Sequence, residues 1–103
     1  MTINKEKIVI YIDSDLKDIV PRFLEIRQEN INNLLKALKR EDYEPILRIG
    51  HSMKGSGTGY GFEYITEIGR SIEDAAIMKN LEEIGECVEK LSTYLENIEI
   101  VYK

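Results

Sequence analysis

His51 is the only histidine in the 103-residue chain, and it lies in a segment with helical spacing. Counted at about 100° per residue from Ile46, Gly50 and Met53 fall within roughly 40° of Ile46 and form an apolar stripe. His51 falls at roughly 140°, away from that stripe. The spacing therefore predicts an imidazole on the solvent side of a helix, where it is free to react.

The residues that follow His51 have the types that a phosphoryl group on the ring would need. A neutral imidazole nitrogen is a competent nucleophile. On the same count Lys54 lies at roughly 80° and Gly55 at roughly 180°, so they flank the ring one turn further on. Lys54 would supply positive charge to phosphoryl oxygens, and Ser56 could donate a hydroxyl hydrogen bond to them. Because Gly55 has no side chain, another protein's surface can approach the ring closely.

A nucleophilic imidazole also needs an acceptor that holds its other nitrogen. A carboxylate that accepts from Nδ1–H fixes the tautomer and leaves Nε2 free to react. Glu73 is the candidate, since it lies at roughly 80° from Ile65 on the next predicted helix, at the border of its buried face. A plain surface acid is the alternative interpretation of Glu73.

Other motifs indicate less chemistry. The glycines of residues 55–61 alternate, which is not the Gly-x-Gly-x-x-Gly spacing of a dinucleotide loop, and no strand precedes them. Lys54 comes before Gly55, so it does not belong to a Gly-Lys-Ser/Thr phosphate loop. Cys87 is the single cysteine, which excludes a disulfide framework and a cysteine-based zinc site. We expect Cys87 to be a packed apolar residue and predict no metal site.

The composition limits the class of protein. A length of 103 residues corresponds to one domain. The 19 acidic and 14 basic residues give a formal net charge of −5, which argues against nucleic acid as the main partner. The chain has no apolar run of roughly 18 residues and no signal-peptide pattern at its N-terminus, so we expect neither membrane association nor export. A single thiol fits a reducing compartment, and we predict a cytoplasmic protein.

The N-terminal region predicts an arm and a short helix. Ile8–Ile12 is rich in β-branched residues without helical spacing, which favours an extended arm. Asp13 or Ser14 would supply the N-cap of a short helix from Leu16 to Val20. Pro21 then fits the first turn of the next helix.

Longer amphipathic helices account for the rest of the chain and predict an all-α fold. Short connections imply antiparallel neighbours, and therefore an antiparallel four-helix up-down bundle. The apolar steps of three and four residues from Leu81 to Ile98 indicate a bundle-facing seam. We expect residues 1–13 to form the arm and residues 14–100 the helical part of a single domain. The predicted helices run from Pro21 to Arg40, from about Asp42 into the glycine run, from about Phe62 to Met78 and from a cap at Asn80 onwards.

The segment around the histidine resembles a known family. His51-Ser52-Met53-Lys54-Gly55-Ser56-Gly57 is similar to the signature of histidine-containing phosphotransfer (HPt) domains, and the stretch to Phe62 also resembles the phosphotransfer domain of chemotaxis histidine kinases. In that family, the position 22 residues after the histidine holds a glutamine or glutamate that bonds the imidazole, and here it is Glu73. The resemblance covers about residues 10 to 95 and implies a four-helix bundle with an extra N-terminal helix. Ser52 and the strand-like Ile8–Ile12 depart from the commonest pattern.

The resemblance implies a phosphoryl carrier in a two-component phosphorelay. His51 would accept a phosphoryl group and exchange it with the aspartate of a response-regulator receiver domain, with a sensor histidine kinase as a further partner. The chain would have no ATP site and need no cofactor of its own, because the receiver would supply Mg²⁺. We expect a monomer.

Three residues have a double interpretation. Leu16, Ile19 and Phe23 fit the core, but in the resembling family apolar residues of the first helices also form the docking surface for receivers. Two rival functions remain at this point. One is a degenerate bundle that only docks a protein, and the other is an enzyme with a His51–Glu73 acid–base pair in a concave pocket.

Overall fold

The computed structural model describes residues 7–103, which form four long helices and a pair of short strands. The chain also contains two three-residue 3₁₀ turns. Ser14–Leu16 lies between the first strand and the first helix, and Thr58–Tyr60 lies between the second and third helices. In the described part of the chain, no helix is both long enough and apolar enough to cross a membrane. The elements are β1 (Ile8–Ile12), α1 (Val20–Arg40), α2 (Tyr43–Ser56), α3 (Glu63–Ile77), α4 (Leu81–Asn97) and β2 (Ile98–Tyr102).

The predicted short helix from Leu16 to Val20 is wrong. The chain forms only a 3₁₀ turn at Ser14–Leu16, where the side chain of Asp13 accepts a hydrogen bond from the Asp15 N–H at 2.9 Å. Val20 already belongs to α1, whose first turn contains Pro21 as predicted. A proline at this position costs no helical hydrogen bond, so α1 can begin directly after the turn.

The β-rich N-terminal segment is extended, but it does not form a free arm. β1 pairs in parallel with β2, with Ile8 opposite Ile98 and Ile12 opposite Tyr102. The predicted helical seam included Ile98, whereas α4 ends at Asn97. The alternation of half-buried and exposed residues in β2 is typical of a strand on a packed surface. Residues 1–6 of the predicted arm lie outside the described residues.

One apolar core joins all four helices. Most of the apolar residues of α1 belong to this core, but Leu35 is 47 % exposed. Cys87 is buried as expected, and burial raises the pKa of its thiol. The helices therefore form a bundle around a shared interior. Its fully buried side chains include Val20, Leu34, Ile46, Met53, Phe62, Ile65, Ile72, Ile84 and Leu91.

Capping features are seen at three of the helix ends. Asn80 precedes α4, and its side chain accepts from the Glu83 N–H at 3.1 Å, as predicted for a cap. α1 ends at Arg40, and Glu41 directly after it adopts a left-handed conformation with φ 51°. Lys79, with φ 54°, reverses the chain between α3 and α4 in the same way.

Candidate functional site

His51 projects from the middle of α2 into solvent, with 72 % of its side chain exposed. The opposite face of α2 is buried through Ile46, Gly50 and Met53. This is the helical arrangement that the spacing predicts. The ring is therefore accessible to a large reactant, including another protein.

Glu73 of α3 holds the imidazole by one nitrogen. Its Oε2 atom lies 2.8 Å from Nδ1 of His51, and its side chain is only 15 % exposed. An ionised carboxylate has no proton to give, so Nδ1–H donates and the proton of the neutral ring stays on Nδ1. Nε2 is left with its lone pair.

Lys54 completes a three-residue network with the same carboxylate. Its Nζ donates to Oε1 of Glu73 at 2.6 Å, and its side chain is 35 % exposed. Glu73 therefore bridges the ammonium and the imidazole with its two oxygens. The hydrogen bond from Lys54 and then that from His51 lower the pKa of Glu73 below its usual value, against an opposing effect of burial. The carboxylate is consequently ionised at neutral pH.

Two glycines allow α2 and α3 to approach closely enough for this network. A Cβ atom added at Gly50 would lie 2.8 Å from the backbone nitrogen of Glu73. One added at Gly69 would lie 2.5 Å from the backbone nitrogen of Lys54. Gly50 was expected on the core side of its helix, but sequence reasoning missed Gly69. The available signal was a glycine inside a helical pattern, which costs about 1 kcal/mol against alanine.

The other residues predicted beside the histidine have different surroundings. A Cβ at Gly55 would have no neighbour within 4 Å, so this face of α2 is open. The Ser56 hydroxyl instead donates to the Ser52 carbonyl at 2.9 Å and accepts from Nη1 of Arg27 at 3.3 Å. Ser56 thus has partners of its own in this structure, on α2 and α1.

Leu16, Ile19 and Phe23, which fitted both the core and a docking surface, differ in their burial. Phe23 is 6 % exposed and stacks on Tyr60 and Phe62, with ring centroids 4.4 and 5.3 Å away. Leu16 is half-buried against the core, whereas Ile19 is 46 % exposed. Of these three, Ile19 is the most exposed to solvent.

Arg27 is a buried charge that the sequence pattern does not reveal. It is 5 % exposed, and its guanidinium lies 4.9 Å from the centre of the Phe23 ring. Burial lowers the pKa of Arg27. Its bond to Ser56 ties α1 to the last residue of α2. The available signal was its position four residues after Phe23 and four before Ile31, on the same face of the helix.

The pKa of Glu73 leads to a prediction for acid stability. Because folding lowers this pKa below the ordinary glutamate value of 4.5, the ionised carboxylate stabilises the native state above that pH. This contribution is lost as the pH falls through the lowered pKa. We therefore expect wild type to exceed Glu73→Gln in stability near neutral pH, and the difference to shrink below pH 4.5. Urea unfolding of both proteins from about pH 7 to about pH 3 measures it, and a difference that grows in acid would contradict the assignment.

The ring of His51 lies on an open surface, 72 % exposed, and outside two cavities of the protein. The cavities near α3–α4 and near α1–α2 are lined by neither His51 nor Glu73. Within residues 7–103, no group of three or more histidine, cysteine, aspartate and glutamate side chains is placed to hold a metal ion. The geometry instead presents one nucleophilic nitrogen on an open helix face.

Comparison with known proteins agrees with this geometry. The sequence model of the Hpt domain matches residues 18–100, which include α1 to α4 and the network of His51, Lys54 and Glu73. Searches of curated proteins and of solved structures gave no match. A match over most of the chain shows the family. The chain therefore belongs to the Hpt domain family, and that membership implies a histidine phosphotransfer role in phosphorelays.

Proposed function

We propose that Nε2 of His51 accepts a phosphoryl group from the phospho-aspartate of a receiver domain and passes it to the aspartate of a second receiver. The observation that carries the proposal is the 2.8 Å bond between Nδ1 of His51 and Glu73, on a ring that is 72 % exposed. It leaves the lone pair of Nε2 directed away from Glu73 and towards a docked partner.

The transfer step follows from this arrangement. The lone pair of Nε2 forms a bond to phosphorus while the bond from phosphorus to the aspartyl oxygen breaks, and the aspartate leaves as a carboxylate. The Nδ1 proton stays in place, so the phosphorylated ring gains a positive charge. The ionised Glu73 stabilises that charge, and reversal of the step regenerates the neutral ring.

Lys54 has a second task in this proposal. While the ring is unmodified, the ammonium group of Lys54 compensates the charge of Glu73, with Nζ 2.6 Å from Oε1. With a third of its side chain exposed, it can also attract the phosphoryl oxygens as they arrive and leave. The partner supplies Mg²⁺ and the remaining charge stabilisation, since a receiver carries its own acidic site. This chain is then a carrier without an ATP site, with a sensor kinase as the initial source of phosphate.

The proposal extends to the arrangement of the chain. We infer an antiparallel up-down order for α1 to α4, supported by the short connections at residues 41–42, 57–62 and 78–80. We propose one domain that acts as a monomer in the cytoplasm. Ile19, with Leu16 beside it, is proposed as part of the surface on which receivers dock.

Transfer from a radiolabelled phospho-receiver tests the function. We expect label on this chain that is lost in acid and stable in alkali, as a phosphoramidate on histidine is. It should return to receiver aspartate when fresh receiver and Mg²⁺ are added. Stable binding of a phospho-receiver without any transferred label would instead support the docking-only alternative.

Removal of the Lys54 charge is expected to slow transfer without preventing it. We predict that Lys54→Ala lowers the transfer rate about tenfold, because one positioned cation near the phosphoryl oxygens is lost. Lys54→Arg should recover most of the rate. Rapid-quench measurements check this, with the exposed Lys36→Ala on α1 as a matched control. Equal rates for Lys54→Ala and Lys36→Ala would exclude the assigned role.

A further inference from the structure

A large cavity lies away from His51, between β1, the start of α3 and the outer face of α4. Its volume of about 840 Å³ falls within the range of roughly 300–1,000 Å³ that is typical of small-molecule sites. Ile8 and Ile10 of β1 line it, together with Tyr64 of α3 and Tyr94 of α4. These four residues give it an apolar interior. We call it the β1–α4 cavity.

Tyr94 lines this cavity, and its side chain ends in a buried hydroxyl. Tyr94 is 4 % exposed, and its hydroxyl has no hydrogen-bond partner among the described residues. Burial, followed by the neighbouring Tyr64, raises the pKa of Tyr94 to about 12, so the hydroxyl keeps its proton. The two rings pack with their centroids 4.7 Å apart. A buried hydroxyl without a partner is costly, and a ligand oxygen would satisfy it.

The charges around the β1–α4 cavity are mainly negative. Glu63 of α3 and Glu86 and Glu89 of α4 contribute to its lining, against the single ammonium group of Lys90. All three glutamates are exposed. None of them takes part in the ion pairs formed by Lys7, Arg22 and Lys54. The rim therefore favours a cationic group on whatever enters.

The apolar lining, the buried hydroxyl of Tyr94 and the acidic rim each suit a different part of one ligand. We propose that the β1–α4 cavity binds a small cationic amphiphile, with an aromatic or aliphatic body, a hydrogen-bond-accepting oxygen and a protonated amine. The body lies between the isoleucines of β1 and the two tyrosines. The oxygen accepts from the Tyr94 hydroxyl, and the amine lies at the glutamates. The site shares no residue with the His51 network, so its occupation does not depend on the phosphotransfer function.

A matched pair of probes tests the proposal on the full chain. N-(2-aminoethyl)benzamide has a ring, an amide oxygen and an amine, whereas benzoylglycine has the same body with a carboxylate in place of the amine. Titration is followed through the backbone amide signals of the ¹⁵N-labelled protein. We expect saturable shifts at Ile8, Ile10, Tyr64 and Thr93 for the amine, with at least about tenfold weaker binding of the carboxylate.

Three variants separate the contributions. Tyr94→Phe keeps the ring and should weaken binding of the amide amine about threefold to tenfold, but leave 4-phenylbutylamine, which has no oxygen, unaffected. Glu89→Gln should weaken both amines about twofold to fivefold. Glu44→Gln on α2 makes the same charge change outside the cavity and should have no effect. Equal binding of amine and carboxylate, shifts centred on His51, or no saturable shift with any probe would each overturn the proposal.

Discussion

A chain with His51→Gln is expected to take up no phosphoryl group from a labelled receiver. Glutamine has no nitrogen lone pair of comparable nucleophilicity, so the acceptor is lost and not merely weakened. The side chain is 72 % exposed but donates to Glu73, so we expect the free energy of unfolding to fall by no more than about 1 kcal/mol. Filter or gel assays of acid-labile label measure the first effect, and urea unfolding measures the second.

The control for this variant is a neighbouring exposed residue. Ser52→Ala changes the next side chain of α2 and leaves its carbonyl to accept from Ser56. It should retain the label. Label that persists at wild-type level in His51→Gln, or loss of label only because the variant is unfolded, would remove the support for His51 as the acceptor.

The second large effect concerns the contact between α2 and α3. Gly69→Ala would bring a Cβ to 2.5 Å from the backbone nitrogen of Lys54 and 2.7 Å from the carbonyl oxygen of Gly50. Both are backbone atoms of a helix, so the two helices must separate. We predict a loss of about 1–3 kcal/mol in the free energy of unfolding. The same separation moves Glu73 from His51, so the transfer rate of the folded variant should fall as well.

Gly55→Ala is the matched control, and we expect it to change the free energy of unfolding in the opposite direction. It also replaces a helical glycine, but its Cβ would have no neighbour within 4 Å. Alanine's higher helix propensity should stabilise the chain by up to about 1 kcal/mol. Thermal and urea unfolding of the two variants compare them directly. If Gly69→Ala proved as stable as Gly55→Ala, the close approach of α2 and α3 would not explain the site.

Local patterns predicted the parts of the fold that local chemistry decides. The helix predicted from about Phe62 to Met78 is observed at Glu63–Ile77, because its apolar spacing and glycine-rich start are local signals. The cap at Asn80 was confirmed for the same reason. The angular positions counted along each helix also placed His51 on an exposed face and Glu73 at the border of a buried one. In the structure, Nδ1 of His51 lies 2.8 Å from Oε2 of Glu73. Helical geometry relates sequence position to direction, so exposed and bordering faces follow from the sequence.

The features that sequence reasoning missed depend on residues distant in the chain. β2 forms because Ile98 and the residues after it meet β1 some 90 positions earlier, a pairing that no local window contains. The burial of Arg27 depends on contacts of its guanidinium with the Phe23 ring and with the Ser56 hydroxyl of another helix. The role of Gly69 likewise appears only when α2 is placed against it.

The parallel pairing of β1 and β2 has a mechanical consequence. Lys7 precedes one end of the ladder and Lys103 follows its other end, where it is bonded to Ile12 at 2.9 Å. Tension applied at these two residues pulls the strands past each other along their length. All the ladder bonds then carry the load together, in shear, whereas antiparallel strands pulled from neighbouring ends would open one bond at a time. The short ladder therefore resists stretching between these two residues and protects the helices, including the face that carries His51, from the load.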